Sequence, residues 1–275
     1  TAQLPLTIPN EVKEQIRQAL GLNDPFLISW AKWMKLMFVN EPLHLLGELF
    51  NTCIGDCEGR PRIISWASRA PAIDVIAQRL PQTLWVLGIS FIIGILIAIP
   101  VGVISAYKQY SAFDNIGTFV SMIGYSVPTF FTGLLAIVIF SVWLGWFPSF
   151  YNTTHKVVWS DWSTVTFQMK QMVMPVAVLS LFNAAALSRF TRASMLDNLN
   201  EDYVRTARSK GLGERKVVMS HVMRNSLIPV VTLIALQVPG IFAGAIITEQ
   251  IFRINGLGQL LIVAIGQGDV PMVQT

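Results

Sequence analysis

Four long stretches of the chain carry no charged residue, and charged positions bound each of them. Leu84 to Ala106 lies between Arg79 and Lys108. Asn115 to Phe147 follows Asp114, with an apolar centre from Ile116 to Trp143. Met172 to Ser188 stops at Arg189, and Leu227 to Thr248 stops at Glu249. About 20 mostly apolar residues cross the hydrocarbon core of a bilayer, so each stretch predicts a transmembrane helix. A soluble helical core has no room for so many continuous apolar runs. Before the first stretch the pattern is amphipathic. Asn10 is placed to cap a short helix, EVKEQIRQAL, that Gly21 ends in a left-handed conformation, and a second helix starts at Pro25 through FLISWAKWMKLMF. Trp30 and Trp33 on that helix suit either packing within the segment or a seat at the membrane interface.

Between the third and fourth apolar stretches the pattern changes. Ser188 to Pro229 holds eight Lys or Arg residues (Arg189, Arg192, Arg205, Arg208, Lys210, Arg215, Lys216, Arg224) against four acids (Asp197, Glu201, Asp202, Glu214). Asn198 followed by Glu201 has the spacing of a capping box with Asn in place of Ser or Thr. Glu201 and Asp202 favour the positive end of a helix dipole, and Arg208 and Lys210 the negative end. Gly211 ends this helix. A second one is expected near Gly213 and Glu214, carrying Val217, Val218, Met219, Val222 and Met223 until Pro229 opens the next span. A jointed helix pair between two spans suits docking to a cytoplasmic partner. A solvated loop whose charges only set topology fits the same residues.

Composition agrees with the pattern. Of 275 residues 53% are hydrophobic and only 13% charged, and mean hydropathy is +0.54, against roughly 25% charge in soluble domains. The net charge of +4 sits largely in the basic loop, so positive-inside bias explains it better than nucleic-acid binding does. Each crossing switches sides, so the loop around Lys108 to Asp114 and the basic loop share the cytoplasmic face. The first 80 or so residues, with eight basic and eight acidic side chains, then lie outside, as do Phe147 to Gln171 and the C-terminal tail. This predicts an extracytoplasmic module over 1–80 and a transmembrane domain over 81–275 with its cytoplasmic loop at 189–228. An outside N-terminal module that starts at Thr1 without a signal peptide implies a span upstream, and LGQLLIVAIGQGDVPMVQT leads towards another. Six spans are expected in the intact subunit, with four of them here.

Catalytic chemistry is poorly provided for. His44, His155 and His221 are scattered, and HExxH, GxSxG and the Walker A glycine loop are absent from the sequence. Neither a metal site nor bound ATP is expected on this chain. Cys53 and Cys57, in NTCIGDCEGR, are compatible with a local disulfide turning at Gly55 or with two free thiols. Within the spans, Ser126, Thr129, Asn183 and Gln237 are the candidates to line a pathway, because an unsatisfied polar side chain in lipid is costly. The same residue types also serve as interhelical glue. None of the four is charged, which suits a path that does not hold its cargo tightly. Pro100, Pro128, Pro175 and Pro239 interrupt the spans, and Gly240 with Gly244 makes a GxxxG step.

The segment EDYVRTARSKGLGERKVVMSHVMRNSLIPVV resembles the cytoplasmic EAA loop of permease subunits from ABC importers of the dipeptide, oligopeptide and nickel family. LGLNDPFLISWAKWM, IAQRLPQTLWVLG, IPVGVISAY, IGYSVPTFFTGLLAIVIF and FRINGLGQLLIVAIGQGDVPMVQT follow in the family's order, and the likeness is to the dipeptide-permease B type. Arg205, Thr206 and Ala207 stand where the general pattern has EAA before its glycine, a form usual in peptide-type permeases. Residues 34–74, with both cysteines, look longer than typical. The resemblance implies an all-α, type I ABC permease bundle with an N-terminal extracytoplasmic module and without its first and last spans. It also implies a coupling helix over roughly Glu201 to Lys210, with Glu201, Tyr203, Arg205, Thr206, Ala207, Arg208 and Gly211 as the ATPase contact. The implied partners are a second permease subunit, two cytoplasmic ATPase subunits that hold ATP and Mg, and an extracytoplasmic substrate-binding protein at the outer surfaces. The setting is a bacterial or archaeal plasma membrane. Di- or oligopeptide cargo is expected, with nickel or glutathione as alternatives. A membrane-embedded enzyme would need paired catalytic groups in the spans, and a passive channel or anchor would not need the jointed loop.

Overall fold

The computed structural model describes residues 25–50, 61–155, 157, 158, 160–243 and 245–275. Among these residues the secondary structure is helical, apart from one isolated antiparallel bridge between Ile64 and Pro71. Helix α1 covers 26–50, α2 Ala72–Tyr107, α3 Ala112–Ser126, α4 Thr129–Trp143, α5 Trp162–Leu199, α6 Asp202–Ser209, α7 Glu214–Ile241, α8 Ile246–Phe252, α9 Leu257–Gln267 and α10 Val270–Gln274. The expected helix over EVKEQIRQAL, Gly21, and Cys53 with Cys57 lie outside the described residues. Packing divides the chain into two units, residues 1–78 with 261–275 and residues 79–260.

In the first unit, buried carboxylates organise the backbone. Glu41 of α1, 1% exposed, accepts from the Ile63 amide at 2.8 Å and pairs with Arg62 at 3.2 Å; Arg62 also reaches Asp74 at 2.7 Å. The Asn40 amide nitrogen donates to Pro61 O. Residues 63–72 form a tight reversal in which Arg69 adopts a φ of 57° and Ala72 N donates to Ile63 O. Asp269 caps α10 and accepts from Ser65 Oγ at 2.5 Å, from the Trp66 and Ala67 amides and from Met272 N.

The second unit is built around α5, the most buried of the long helices. Its contact with α2 is a seam of small side chains. Ser90, Gly94, Ala98, Gly102 and Ala106 repeat every fourth residue along one buried face of α2. Residues i and i+4 stack on one helix face, and small ones let two backbones approach closely. A Cβ on Gly94 would lie 3.0 Å from Asn183 Cβ, and one on Gly102 only 2.6 Å from Thr191 Cβ. Residue 94 thus meets 183 and residue 102 meets 191, which makes α2 and α5 parallel. The GxxxG step singled out by sequence is not the packed one: a Cβ on Gly240 would meet nothing within 4 Å, and Gly244 lies outside the described residues.

The second expected span, Asn115 to Phe147, is not a continuous helix. α3 and α4 are bent by 101° at Val127 and Pro128. Proline pushes its predecessor out of the α region, and Val127 is extended at ψ 125°. The pair still crosses as a whole. Parallel neighbours need a crossing between them, and α3 runs antiparallel to α5 from Asp114–Arg192 through Ser121–Ser188 to Gly124–Ala185. Beyond the break, Gly133, Ala136 and Ile137 continue to the cluster formed by Val86, Met172, Phe252 and Ile254 at the outer ends of α2 and α5.

Two other boundaries move. α5 does not stop at Arg189 but runs to Leu199, because arginine is a good helix former and a change in hydropathy marks the membrane edge rather than the helix end. Asn198 therefore lies inside α5 and does not cap α6; Glu201 occupies that position, at φ −71° and ψ 152°, without a side-chain cap bond. Pro229 opens no new element either. α7 is continuous from Glu214, with Pro229 inside it, as membrane helices tolerate.

Candidate functional site

At the inner end of the bundle the chain leaves α5, makes α6, turns at Gly211 and enters α7. Gly211 has a φ of +73°, a conformation that side chains disfavour, and an added Cβ there would meet open space. Backbone conformation rather than crowding therefore selects glycine. Gly211 N donates to Arg208 O and Leu212 N to Ala207 O, which closes the helix end.

α6 has two contrasting sides. Val204 is fully buried and Ala207 is 6% exposed, packed with Val103 and Ala106 of α2, Met195 of α5 and Val217, Val218 and Val222 of α7. The Tyr203 hydroxyl donates to Asn198 Oδ1 at 2.9 Å and ties α6 to the end of α5. On the other side Glu201, Asp202, Arg205, Thr206 and Lys210 face outward, the Arg205 side chain being 74% exposed. Arg208 joins the two elements: its Nε and Nη2 donate to the two Glu214 carboxylate oxygens at 3.1 and 2.7 Å. Of the seven expected contact residues, Arg205, Thr206 and Glu201 thus form a free edge, Tyr203 and Ala207 hold the helix, and Arg208 and Gly211 set the joint.

One turn deeper, sequence reading passed over an ion pair. Arg192 of α5 donates from Nε and Nη2 to Asp114 of α3 at 2.6 and 2.8 Å, and Asp114 is 2% exposed. Asp114 also accepts from Tyr110 N, so the pair locks the α2–α3 turn to α5. Both residues had been read only as loop charges that set orientation. An aspartate at the start of an apolar run and an arginine just past the end of another were the available signal.

The expected pathway residues come one each from α3, α4, α5 and α7. Ser126 and Thr129 flank the break between α3 and α4, Ser126 exposed and Thr129 half-buried. Asn183 sits on α5 beside Gly94 of the seam, and Gln237 is half-buried on the outer half of α7. A charged side chain lies near the first group: Arg189 stands over the Tyr125 ring at 5.9 Å, and Tyr125 stacks on Phe182.

At the outer end, Glu249 of α8 is 1% exposed. Its carboxylate accepts from Thr83 Oγ1 at 3.0 Å and from Gln259 N at 2.9 Å, while Thr83 Oγ1 accepts from Leu257 N at 2.8 Å. Carboxylate oxygens at the first turn of α9 satisfy an amide that no helix bond reaches. A Cβ at Gly256 would lie 2.4 Å from both the carboxylate and the threonine oxygen. By sequence Glu249 had seemed only the end of a span. Among the described residues no group of three or more His, Cys, Asp or Glu side chains could hold a metal ion.

This arrangement is an integral membrane bundle with a small amphipathic helix slung beneath it, and the chain's relatives have the same character. The family described as "Binding-protein-dependent transport system inner membrane component" matches residues 98–275, and "Binding-prot-dependent transport system membrane comp, N-term" matches residues 6–87. The oligopeptide transport system permease protein AppB of Bacillus subtilis (strain 168) is 36% identical over 261 residues, covering 95% of this chain and 75% of that one. A putative peptide transport system permease protein of Brucella abortus (strain 2308) is 35% identical, over 96% of this chain and 76% of the relative. The glutathione transport system permease protein GsiC of Escherichia coli (strain K12) is 34% identical, over 96% and 75%. A solved structure described as an amino acid ABC transporter with histidines superposes with a TM-score of 0.52 at 12% identity, covering 70% of this chain and 79% of that one, a likeness of fold. The chain belongs to the binding-protein-dependent transport system inner membrane component family, and is a multi-pass permease subunit of an ABC importer rather than an enzyme.

Proposed function

We propose that the chain forms half of the translocation pathway for di- or oligopeptides and is driven through α6 by a cytoplasmic ATPase. The observation behind this reading is the two-sidedness of α6. Val204 and Ala207 are buried against α2, α5 and α7, while Arg205 and Thr206 are left for a partner. A helix clamped on one side to three membrane helices and bare on the other can pass a push into all of them. The expected assembly contains a second permease subunit, two ATPase subunits that hold ATP and Mg, and an extracytoplasmic binding protein that selects the cargo, in a bacterial or archaeal plasma membrane. Peptide is the favoured cargo because relatives named for peptide transport match nearly the whole chain. Glutathione, itself a small peptide, is the variant suggested by GsiC.

Affinity purification of the assembled complex tests the coupling. Reversing a charge in a docked edge sets like charges against each other, so Arg205→Glu is expected to weaken ATPase recovery about tenfold while membrane insertion persists. Wild-type recovery of the ATPase in that variant would remove α6 as the docking element. Mass spectrometry of the ligand carried by the copurified binding protein tests the cargo, with short peptides expected. A metal chelate there would overturn the peptide assignment.

A further inference from the structure

α3 lies along α5 for only part of its length. The contacts Asp114–Arg192, Ser121–Ser188 and Gly124–Ala185 follow one row of α5 outward at steps of three and four residues. The next positions of that row are Leu181, Ala177 and Val173. All three are exposed, Leu181 by 54% and Val173 by 40%, although residues 172, 174–176 and 178–180 around them are buried. A strip one side chain wide is therefore bare on the most buried of the long helices. It begins where α3 ends, because the 101° bend at Val127 and Pro128 carries α4 away from it.

Proline alone does not compel that bend. Pro100, Pro175 and Pro229 sit inside continuous helices of this chain, as membrane helices tolerate. At the bend φ is −82° for Val127 and −58° for Pro128, both within the helical range, and only the ψ values of 125° and 137° depart from the helical value of about −42°. Two ψ rotations would thus make α3 and α4 one helix. Its register follows from the existing pairs: with 121 against 188 and 124 against 185, Thr132 would meet Ala177 and Ala136 would meet Val173. Thr132, Ala136 and Ala177 are small enough for two helices to approach closely. In its present place α4 is held by side-chain packing, with Gly133 against Ile251 and Phe252, and Ala136 and Ile137 on the outer cluster. Among the described residues it makes no hydrogen bond to another helix.

We propose that Val127 and Pro128 are the elbow of an outer gate, in which α4 swings from the outer cluster onto the bare row of α5 and closes the outer half of the bundle along it. The occupant of the row is α4 because the row continues the α3–α5 contact without a break in spacing. The lengths agree as well: Leu181 to Val173 spans about 12 Å of α5, within the length of about 22 Å of α4. The gate rests on the ATP-driven cycle proposed above.

The test uses the complete transporter in lipid nanodiscs, with Cys53→Ser and Cys57→Ser as the background. Thr132→Cys with Ala177→Cys forms a disulfide only when the two Cα atoms come within about 7 Å. Oxidative cross-linking is compared in the nucleotide-free and ATP-bound complex, with the bridge identified by peptide mass spectrometry. Cross-linking about tenfold higher in one state than in the other is expected, because the less favoured of two conformations is commonly populated at about 10% or less. Ser121→Cys with Ser188→Cys, across the fixed part of the contact, should cross-link equally in both. Pro128→Ala lifts the bias of Val127 against helix and should raise the 132–177 bridge in the low state towards the high one. No 132–177 bridge in either state, while the 121–188 control cross-links, would overturn the gate and mean that lipid or another chain covers the row. Equal bridging in both states would overturn it too. Arg205→Glu separates the gate from its drive: a bridge that no longer responds to ATP supports both, whereas a response that survives removes α6 as the drive and leaves the gate standing.

Discussion

Gly102 stands where α2 crosses α5, and a methyl group in its place would lie 2.6 Å from Thr191 Cβ and 2.7 Å from the Ser188 carbonyl oxygen. Because one of these obstacles is backbone, the neighbouring helix has to move. Gly102→Ala is expected to destabilise the subunit by about 1–3 kcal/mol, the usual cost of overpacking, despite alanine's better helix propensity. Gly88→Ala is the control, since its Cβ would meet nothing within 4 Å. Thermal unfolding of the two variants in lipid nanodiscs should show loss for the first and none for the second. Asp269 carries a different prediction. Burial alone would raise its pKa, but hydrogen bonds from Ser65, Trp66, Ala67 and Met272 together outweigh that and hold it below the usual carboxylate range. A group whose folded pKa is depressed contributes stability above its unfolded value of about 3.9 and loses it as pH falls through the folded value. Hydrogen exchange at the Trp66 and Ala67 amides, corrected for intrinsic rates, should therefore be slow at neutral pH and accelerate below about pH 4. Asp269→Asn should show faster exchange at neutral pH and no such step.

Among the elements, the joint at Gly211 gives the clearest mechanical expectation. Its φ of +73° is out of reach for a β-branched residue without strain. Gly211→Val should abolish substrate-stimulated ATP hydrolysis while the subunit still inserts, whereas Gly211→Asn, tolerant of that conformation, should keep most of it. Wild-type stimulation in Gly211→Val would mean that the joint does not transmit motion. This joint was legible in the sequence because a glycine between charge-complementary helix ends has few other uses. The apolar runs likewise marked the helices that are long and apolar enough to cross a membrane among the described residues. Element ends were less legible. Charge reports where the membrane stops, so the run that ends at Ser188 concealed eleven further helical positions, 189–199. The cap at Asn198 failed for the same reason, since the residue was already inside α5. Pro128 was visible as an interruption, but the 101° break also needs the extended Val127 before it. The small-residue repeat from Ser90 to Ala106 was readable in principle. None of its four steps has glycine at both ends, so a search for GxxxG passes over it. The partners Asp114–Arg192 and Glu249–Thr83 are 78 and 166 residues apart, and no local pattern links them.

Across the second unit, α5 has 67% of its apolar stretch buried, against 28% for each of α2 and α7. Helix α7 touches α5 through Val230 with Ala184 and Leu187, and through Ser194 donating to Ser226 O. These few contacts contrast with the continuous α2–α5 seam. On the α2 side the seam has no long side chain that could change rotamer to absorb a shift, so α2 and α5 are expected to move together as a stiff beam. Arg208 and Glu214 meanwhile fasten α6 to the foot of α7. Under the proposed coupling, a load applied at the exposed edge of α6 would be delivered to α7, while the beam serves as its bearing. Spin labels on α2 and α5 should keep a constant separation through the ATP cycle, and labels on α5 and α7 should not. Under the coupling proposed above, the close approach at Gly102 would act as a stator, holding still one wall of the bundle while another moves.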